Sequence, residues 1–297
     1  MMKKPHSKVI EATFQAKKKL KKTIISRLND QIIDNPFQVR ITKEERQLSL
    51  RLVDTFDRVM RRHSIDYFIS GGLLIGSYRY HNLVPWDDDL DVYMNVSHEK
   101  TLPRLFANES DIKFFSTGFR DKLSFNLNVS GAQKTPNRPW NWPYLDIAYV
   151  YEKNNKVHTR NNEFGVNFHF PRHFIYPLIR RPVANYQLLS PNNPQAFLRY
   201  ALHGSTCNYV VGAFSHQLEG YSLVNSKSVK SQSLAGEYPF VQRTVILPPS
   251  YTTTQLQLNF SQPLVVNESL VFRQQVLDWK VIRNQRYTDE NMEKFCI

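Results

Sequence analysis

The densest chemistry in the chain lies in Pro85-Trp86-Asp87-Asp88-Asp89-Leu90-Asp91-Val92, where four aspartates fall within five positions of a protein whose formal net charge is +13. Neighbouring carboxylates repel and resist joint ionisation, so such a cluster persists either in open solvent or around a cation. The preceding Pro-Trp and the apolar residues that follow argue against an open acidic loop. Residues two apart on a strand share a face, so Asp89 and Asp91 would present both carboxylates to one side while Leu90 and Val92 pack behind. Paired oxygen ligands of this kind suit a hard divalent ion, Mg²⁺ or Mn²⁺. Asp87 is available as a further metal group, and Asp88 is expected to face outward. A third ligand has to come from an adjacent strand, about 4.8 Å away. Asp146 is the candidate, a lone acid in the strand-like run Tyr144-Leu145-Asp146-Ile147-Ala148-Tyr149. An unpaired buried charge would be expensive there; a salt bridge to a local Arg or Lys is the alternative account.

Upstream stands Ser70-Gly71-Gly72-Leu73-Leu74-Ile75-Gly76-Ser77-Tyr78-Arg79. Only ten glycines occur in 297 residues, and three of them are here. A glycine pair where a strand becomes a helix lets backbone N–H groups approach a ligand, and a helix N-terminus favours an anion such as phosphate. An ordinary tight turn has the same composition. Arg79 is placed to bind a phosphate bidentately, or to pair with Asp87 or Asp88. Trp86, with Trp140 or Trp142, offers a stacking platform for a base or a sugar, or simply core packing. His81 and His216 read as structural histidines.

These residues need elements to hold them. Thr42-Lys43-Glu44-Glu45 fits a capping box, and Leu48, Leu52, Phe56, Val59 and Met60 recur at helical spacing, which predicts a core-facing helix over 43–63. Residues 66–70 read as a strand that ends at the glycine pair, followed by a helix to about Tyr80. Further strands are expected at 90–94, 123–129 and 144–151, giving a mixed sheet with flanking helices. Beyond residue 151 the expected elements are strands at 174–178 and 183–189, a helix at 194–203, ambiguous Ser/Thr/Gln-rich sequence over 221–262, and a late helix over 270–282. The fold class is α+β. The expected division is a basic arm (1–40), a catalytic domain (41–220) and a C-terminal accessory segment (221–297).

With 41% hydrophobic and 22% charged residues, the composition excludes collagen-like and disordered classes. No apolar run approaches the roughly 18 residues that span a bilayer. Residues 1–30 hold nine Lys/Arg against two acids, so most of the excess charge is local; this segment could meet an anionic membrane surface or be a solvated tail. No nucleic-acid partner is expected. Cys207 and Cys296 cannot build a disulfide framework or a four-ligand zinc site. Five Asn-x-Ser sequons, at Asn95, Asn108, Asn128, Asn259 and Asn267, tilt the expected location toward the secretory pathway and Golgi lumen, with the cytoplasm as the alternative.

A glycine pair at a helix start, Asp-x-Asp on the next strand and a single Asp on a later one form a nucleotidyltransferase constellation. Gly-Gly-Leu-Leu-Ile-Gly-x-x-Arg followed by Pro-Trp-Asp-Asp-Asp-Leu-Asp-Val resembles the signature of the LicD family, which includes fukutin and fukutin-related proteins. Pro139-Trp140-Asn141-Trp142-Pro143-Tyr144-Leu145-Asp146-Ile147 is similar to the stretch that carries that family's third acidic residue. The resemblance covers residues 45–150, more faintly to about 220, and departs from the family in lacking a Trp after His203-Gly204. It implies a nucleotidyltransferase-type fold that transfers an alcohol phosphate from a CDP-linked donor, such as CDP-choline or CDP-ribitol, to a hydroxyl of a glycan or glycoprotein. Asp89, Asp91 and Asp146 would be catalytic and metal-holding, while Gly71, Gly72, Arg79 and Trp86 would bind substrate. A glycosyltransferase using Asp-x-Asp to hold a sugar nucleotide shares the metal logic but has no need of the glycine pair. A non-enzymatic basic binding module leaves the aspartates unexplained.

Overall fold

The computed structural model describes residues 37–201 and, beyond them, 209–212, 214–221, 227–234, 236–246, 264–272 and 275–285. Helix α1 (Lys43–Arg62) begins as its sequence dictates. The Thr42 hydroxyl accepts from Glu45 N while the Glu45 carboxylate accepts from Thr42 N, so both halves of the capping box are formed. Its apolar stripe of Leu48, Leu52, Val53, Phe56, Val59 and Met60 is buried. Phe56, fully buried, packs edge-on to Tyr67 and stacks with Phe106.

Strand β1 (Tyr67–Ser70) passes directly into α2 (Gly71–Tyr80). Then come β2 (Asp91–Asn95), α3 (Leu102–Phe106), β3 (Ile112–Phe115), β4 (Asp121–Phe125) and the two-residue strands β5 (Gln133–Lys134) and β6 (Asn141–Trp142). The long β7 (Tyr144–Lys153) precedes β8 (Lys156–Thr159) and β9 (Phe170–Pro171). The central sheet has the order β1-β2-β7-β4-β3, with β8 and β9 extending it from β7. Only β2 and β7 run parallel; the other pairs are antiparallel. The first seven residues of β7 are all buried, as befits a central strand covered on both faces. The result is the expected α+β class, a mixed sheet with few helices.

Several expected boundaries move. The strand placed at 123–129 stops at Phe125. The strand expected at 174–178 is instead the helical turn α4 (Arg172–Ile175), whose last two carbonyls accept from Asn192 N and Asn193 N; five residues are too few for periodicity to separate a turn of helix from a strand. The run 183–189 is the bend and second arm of a hairpin, β10 (Ile179–Val183) with β11 (Tyr186–Ser190), turning at Ala184 with φ +51°. Helix α5 (Pro194–Ala201) lies where expected.

The remaining described elements are strands and one short 3-10 helix (Ser231–Leu234): β12 (Tyr209–Gly212) pairs with β15 (Lys227–Lys230), and β13 (Phe214–Ser215) pairs with β14 (Gly220–Tyr221). Strands β16 (Phe240–Ile246), β17 (Leu264–Phe272) and β18 (Gln275–Gln285) form an antiparallel meander. The late helix over 270–282 is therefore wrong: this stretch, with Val271, Phe272, Val276, Trp279, Val281 and Ile282, is rich in β-branched and aromatic residues that favour a pleated surface. The hairpin of β13 and β14 crosses the boundary expected at residue 220. The basic segment 1–30 and both cysteines lie outside the described residues. Among those residues, no helix is long and apolar enough to cross a membrane.

Removing the Phe56 ring leaves a cavity between α1, β1 and α3. Phe56→Ala is expected to lower unfolding free energy by about 3–5 kcal/mol, read as a shift of the urea midpoint at unchanged slope; a change below about 1 kcal/mol would contradict this core assignment.

Candidate active site

The sheet carries one row of aligned residues. Ser70 on β1 faces Asp91 on β2, Asp91 faces Asp146 on β7, and Asp146 faces Lys122 on β4. Asp91 and Asp146 are thus direct cross-strand neighbours, which brings their carboxylates together on one face. Asp89 precedes β2 instead of lying within it. It reaches the same place because Leu90 is fixed on both sides, its side chain in the core and its carbonyl accepting from Asp146 N at 2.8 Å. Carboxylate oxygens of Asp89, Asp91 and Asp146 all lie within 4.8 Å of one another. Asp87 falls in a separate group with Asp88 and His216.

The glycine pair serves these carboxylates. Gly71 has φ +49°, and a Cβ added there would lie 2.0 Å from Asp91 Oδ2; a Cβ on Gly72 would lie 2.1 Å from Asp87 Oδ2. Both acids therefore sit at the N-terminus of α2, where the helix dipole favours negative charge. The approach expected for a phosphate is here made by side-chain carboxylates. Gly76 has a different reason, since its Cβ would lie 2.3 Å from the Asn82 carbonyl of the loop folded back over the helix. Arg79 is buried in the last turn of α2, about 12 Å along the axis from Gly71. Trp86 is 4% exposed, with Phe37, Tyr80 and Tyr238 against its ring. The faces expected to stack on a ligand are taken by protein aromatics. Trp142 is likewise buried, and Trp140 lies beside Lys122 and Arg138.

Two cations that the sequence did not single out complete the row. Lys122 Nζ bonds Asp146 Oδ1, and Arg120 Nη1 lies 2.6 Å from Asp91 Oδ1 and 3.7 Å from Asp146 Oδ2. Glu163 holds Arg120 from behind, accepting from Nε at 2.8 Å and Nη2 at 3.2 Å. The salt-bridge alternative for Asp146 is thus realised alongside the carboxylate cluster. The signal available was Lys122 beside the expected strand: begun at 121, that strand places Lys122 opposite Asp146.

Residues 64–193 match the family model described as LicD/FKTN/FKRP, nucleotidyltransferase domain. That segment contains the glycine pair, the acidic cluster, Asp146 and both cations. Over this segment the chain is similar to the LicD family. Over 142 residues the chain is 26% identical to the ribitol 5-phosphate transferase FKRP of Mus musculus, covering 47% of this chain and 28% of that protein. Over 57 residues it is 44% identical to the lipopolysaccharide cholinephosphotransferase LicD of Haemophilus influenzae, covering 19% of this chain and 22% of that one. The chain spans less than a third of the length of these curated relatives.

One part of the site lies outside the matched LicD segment. Asp88, expected to face outward, is buried and accepts from Ser215 Oγ at 2.8 Å, His216 N at 3.0 Å and Gln217 N at 2.9 Å, with His216 Nδ1 at 3.3 Å. A carboxylate offers about four lone-pair sites. Those of Asp88 are filled, so the grouping of Asp87, Asp88 and His216 is a hydrogen-bonded clamp that leaves Asp88 nothing to give an ion. His216 Nε2 stands 3.5 Å from Asp89 Oδ1. Among the described residues that oxygen is buried and accepts no hydrogen bond, the His216 ring being the cationic group beside it. Three converging carboxylates, one of them with an oxygen that accepts no hydrogen bond, fit an oxygen-ligated divalent ion in donor chemistry.

Environment sets these acids apart. Burial pushes the Asp146 carboxyl up to about 6, with Lys122 opposing and Asp91 adding to the shift. Burial and then the charge of Asp88 push Asp87 up to about 6, against His216. Burial, and then the charge of Asp91, also raise Asp89 well above the ordinary carboxylate range. Asp88 is as buried, yet the hydrogen bonds from His216 and Gln217 outweigh that and hold it below the ordinary carboxylate range. His216 answers in kind: burial lowers its proton affinity, and Asp88 more than restores it.

A sign follows for stability in chelator. Asp146 titrates in the fold at about 6 and in the unfolded chain near about 4. Between those values the unfolded chain binds fewer protons, so this group's contribution to stability falls as pH rises. Asp146→Asn cannot ionise and should lose that part of the slope, measured by urea unfolding at several pH values from about 4 to about 6.5. Parallel slopes for the two proteins would contradict the burial of this acid.

Proposed function

We propose that the chain is a divalent-metal-dependent phosphotransferase that moves an alcohol phosphate, phosphocholine-like or ribitol-phosphate-like, from a CDP-linked donor to a glycan hydroxyl. The observation that carries this reading is the convergence of Asp89, Asp91 and Asp146 on one face of the sheet, with one buried Asp89 oxygen that accepts no hydrogen bond among the described residues. The match of residues 64–193 to the LicD-family model supports it, as do the two relatives named for transfer of ribitol 5-phosphate and of phosphocholine.

In this reading Asp89, Asp91 and Asp146 hold Mg²⁺ or Mn²⁺, with Asp87 as the neighbouring acid that supports the set. Bound there, the ion would neutralise pyrophosphate oxygens and the charge on departing CMP. The protein's own part is positioning. Gly71 and Gly72 leave room for Asp91 and Asp87, the register of β2 against β7 fixes Asp91 beside Asp146, and the bond from Asp146 N to Leu90 O steadies the approach of Asp89. Asp146 orients the acceptor hydroxyl and takes up its proton.

The test is CMP release from CDP-choline and CDP-ribitol, with UDP-sugars as controls, in Mg²⁺ or Mn²⁺. Asp89→Asn and Asp91→Asn are each expected to lose about 10²–10³-fold or more in transfer while keeping a cooperative unfolding transition. Near wild-type turnover by either variant at low Mn²⁺ overturns the metal assignment, and melting-temperature increases with UDP-sugars alone overturn the donor class.

A further inference from the structure

Two of the three carboxylates assigned to the ion already have cationic partners built into the sheet. Arg120 Nη1 is 2.6 Å from Asp91 Oδ1, and Lys122 Nζ is bonded to Asp146 Oδ1. Neither cation is a loose surface group. Arg120 is gripped at two points by Glu163, which also accepts from the Tyr93 hydroxyl. The exposures are 25% for the Arg120 side chain, 12% for Lys122 and 8% for Glu163. Lys122 is further confined by the rings of Trp140 and Tyr144, 5.3 Å and 5.1 Å from its ammonium.

A bare divalent ion entering between these carboxylates would meet two positive charges already paired with its ligands, in surroundings where water screens little. An ion arriving with a pyrophosphate meets a different balance. The phosphates bring negative charge of their own, and guanidinium and ammonium groups bind phosphate oxygens as readily as carboxylates.

Resting on the phosphotransferase reading above, we propose that Arg120 and Lys122 are the donor's phosphate-binding residues, which exchange their carboxylate partners for the donor's phosphates so that ion and nucleotide bind as one unit. Glu163 is the positioning residue of this arrangement. It keeps the guanidinium aimed at the site before and after the exchange. Arg120 in the free state thus guards the ion site, and in the complex it holds the donor.

The exchange predicts effects of opposite sign from one substitution. Calorimetry with Mn²⁺ alone, and with CDP in the presence of Mn²⁺, is applied to the full chain. In the wild type each should strengthen the other's binding. Arg120→Met should bind Mn²⁺ alone about tenfold more tightly and CDP about tenfold more weakly, removing the mutual enhancement. Arg120→Lys, which keeps the charge, should recover part of the CDP affinity. Glu163→Gln should weaken CDP binding while leaving Mn²⁺ alone near wild type. If Arg120→Met does not fold, Lys122→Met carries the same pair of measurements. Shifts of the same sign for both ligands, or unchanged CDP affinity, overturn the exchange. Wild-type binding of Mn²⁺ and CDP with no mutual enhancement also overturns it, whereas a wild type that binds neither overturns the phosphotransferase reading itself.

Discussion

Two carboxylates in register on adjacent parallel strands, each only 8% exposed, are the constraint to which the rest of this site responds. Burying one anion beside another is unfavourable unless something neutralises or hydrogen-bonds them. The structure answers from three sides. Arg120 and Lys122 bring positive charge from the far side of the row, the glycine pair opens the start of α2 to Asp91 and Asp87, and proton affinity rises at Asp146, Asp87 and Asp89. Were β2 and β7 offset by one residue, Asp91 and Asp146 would point to opposite faces and their mutual repulsion would disappear.

Asp88 shows how much is decided by partners and how little by residue type. It sits between Asp87 and Asp89, shares their burial, and yet moves in the opposite direction because four donors converge on it. Environments that push neighbouring acids apart are the usual means by which one site assigns different tasks to the same side chain. Here Asp88 is given over to architecture, a task that Asp89, Asp91 and Asp146 do not share.

The sequence made legible what depends on residue type and local period. Asp89, Asp91 and Asp146 could be picked out because acids are conspicuous in apolar strands, and α1 because its cap and stripe agree. The strand that ends at Gly71 was readable for a similar reason, as glycine marks the turn. The purpose of the glycine pair was not readable, since it depends on which side chains approach it from β2 and its preceding loop. Arg120, Glu163 and His216 were invisible as site residues because each comes from a segment placed by tertiary contacts alone. Trp86 could be read either as a platform or as core, and its packing against Phe37, Tyr80 and Tyr238 decides for core. The stretch 270–282 was read as a late helix, although its β-branched and aromatic content favours a sheet.

The clamp on Asp88 ties the site to the order in which the chain is made. Its donors at Ser215, His216 and Gln217 come about 130 positions after the aspartate they satisfy. A nascent chain, or a fragment cut to residues 64–193, contains every acid of the cluster but leaves Asp88 without those partners. The sheet can form early, with α1 and the β1–α2 turn in place, while the acidic loop stays unfinished until the hairpin of β13 and β14 has emerged and docked. Completion of the site is in that sense a late event in biosynthesis, governed by a long-range closure that the central sheet cannot supply for itself.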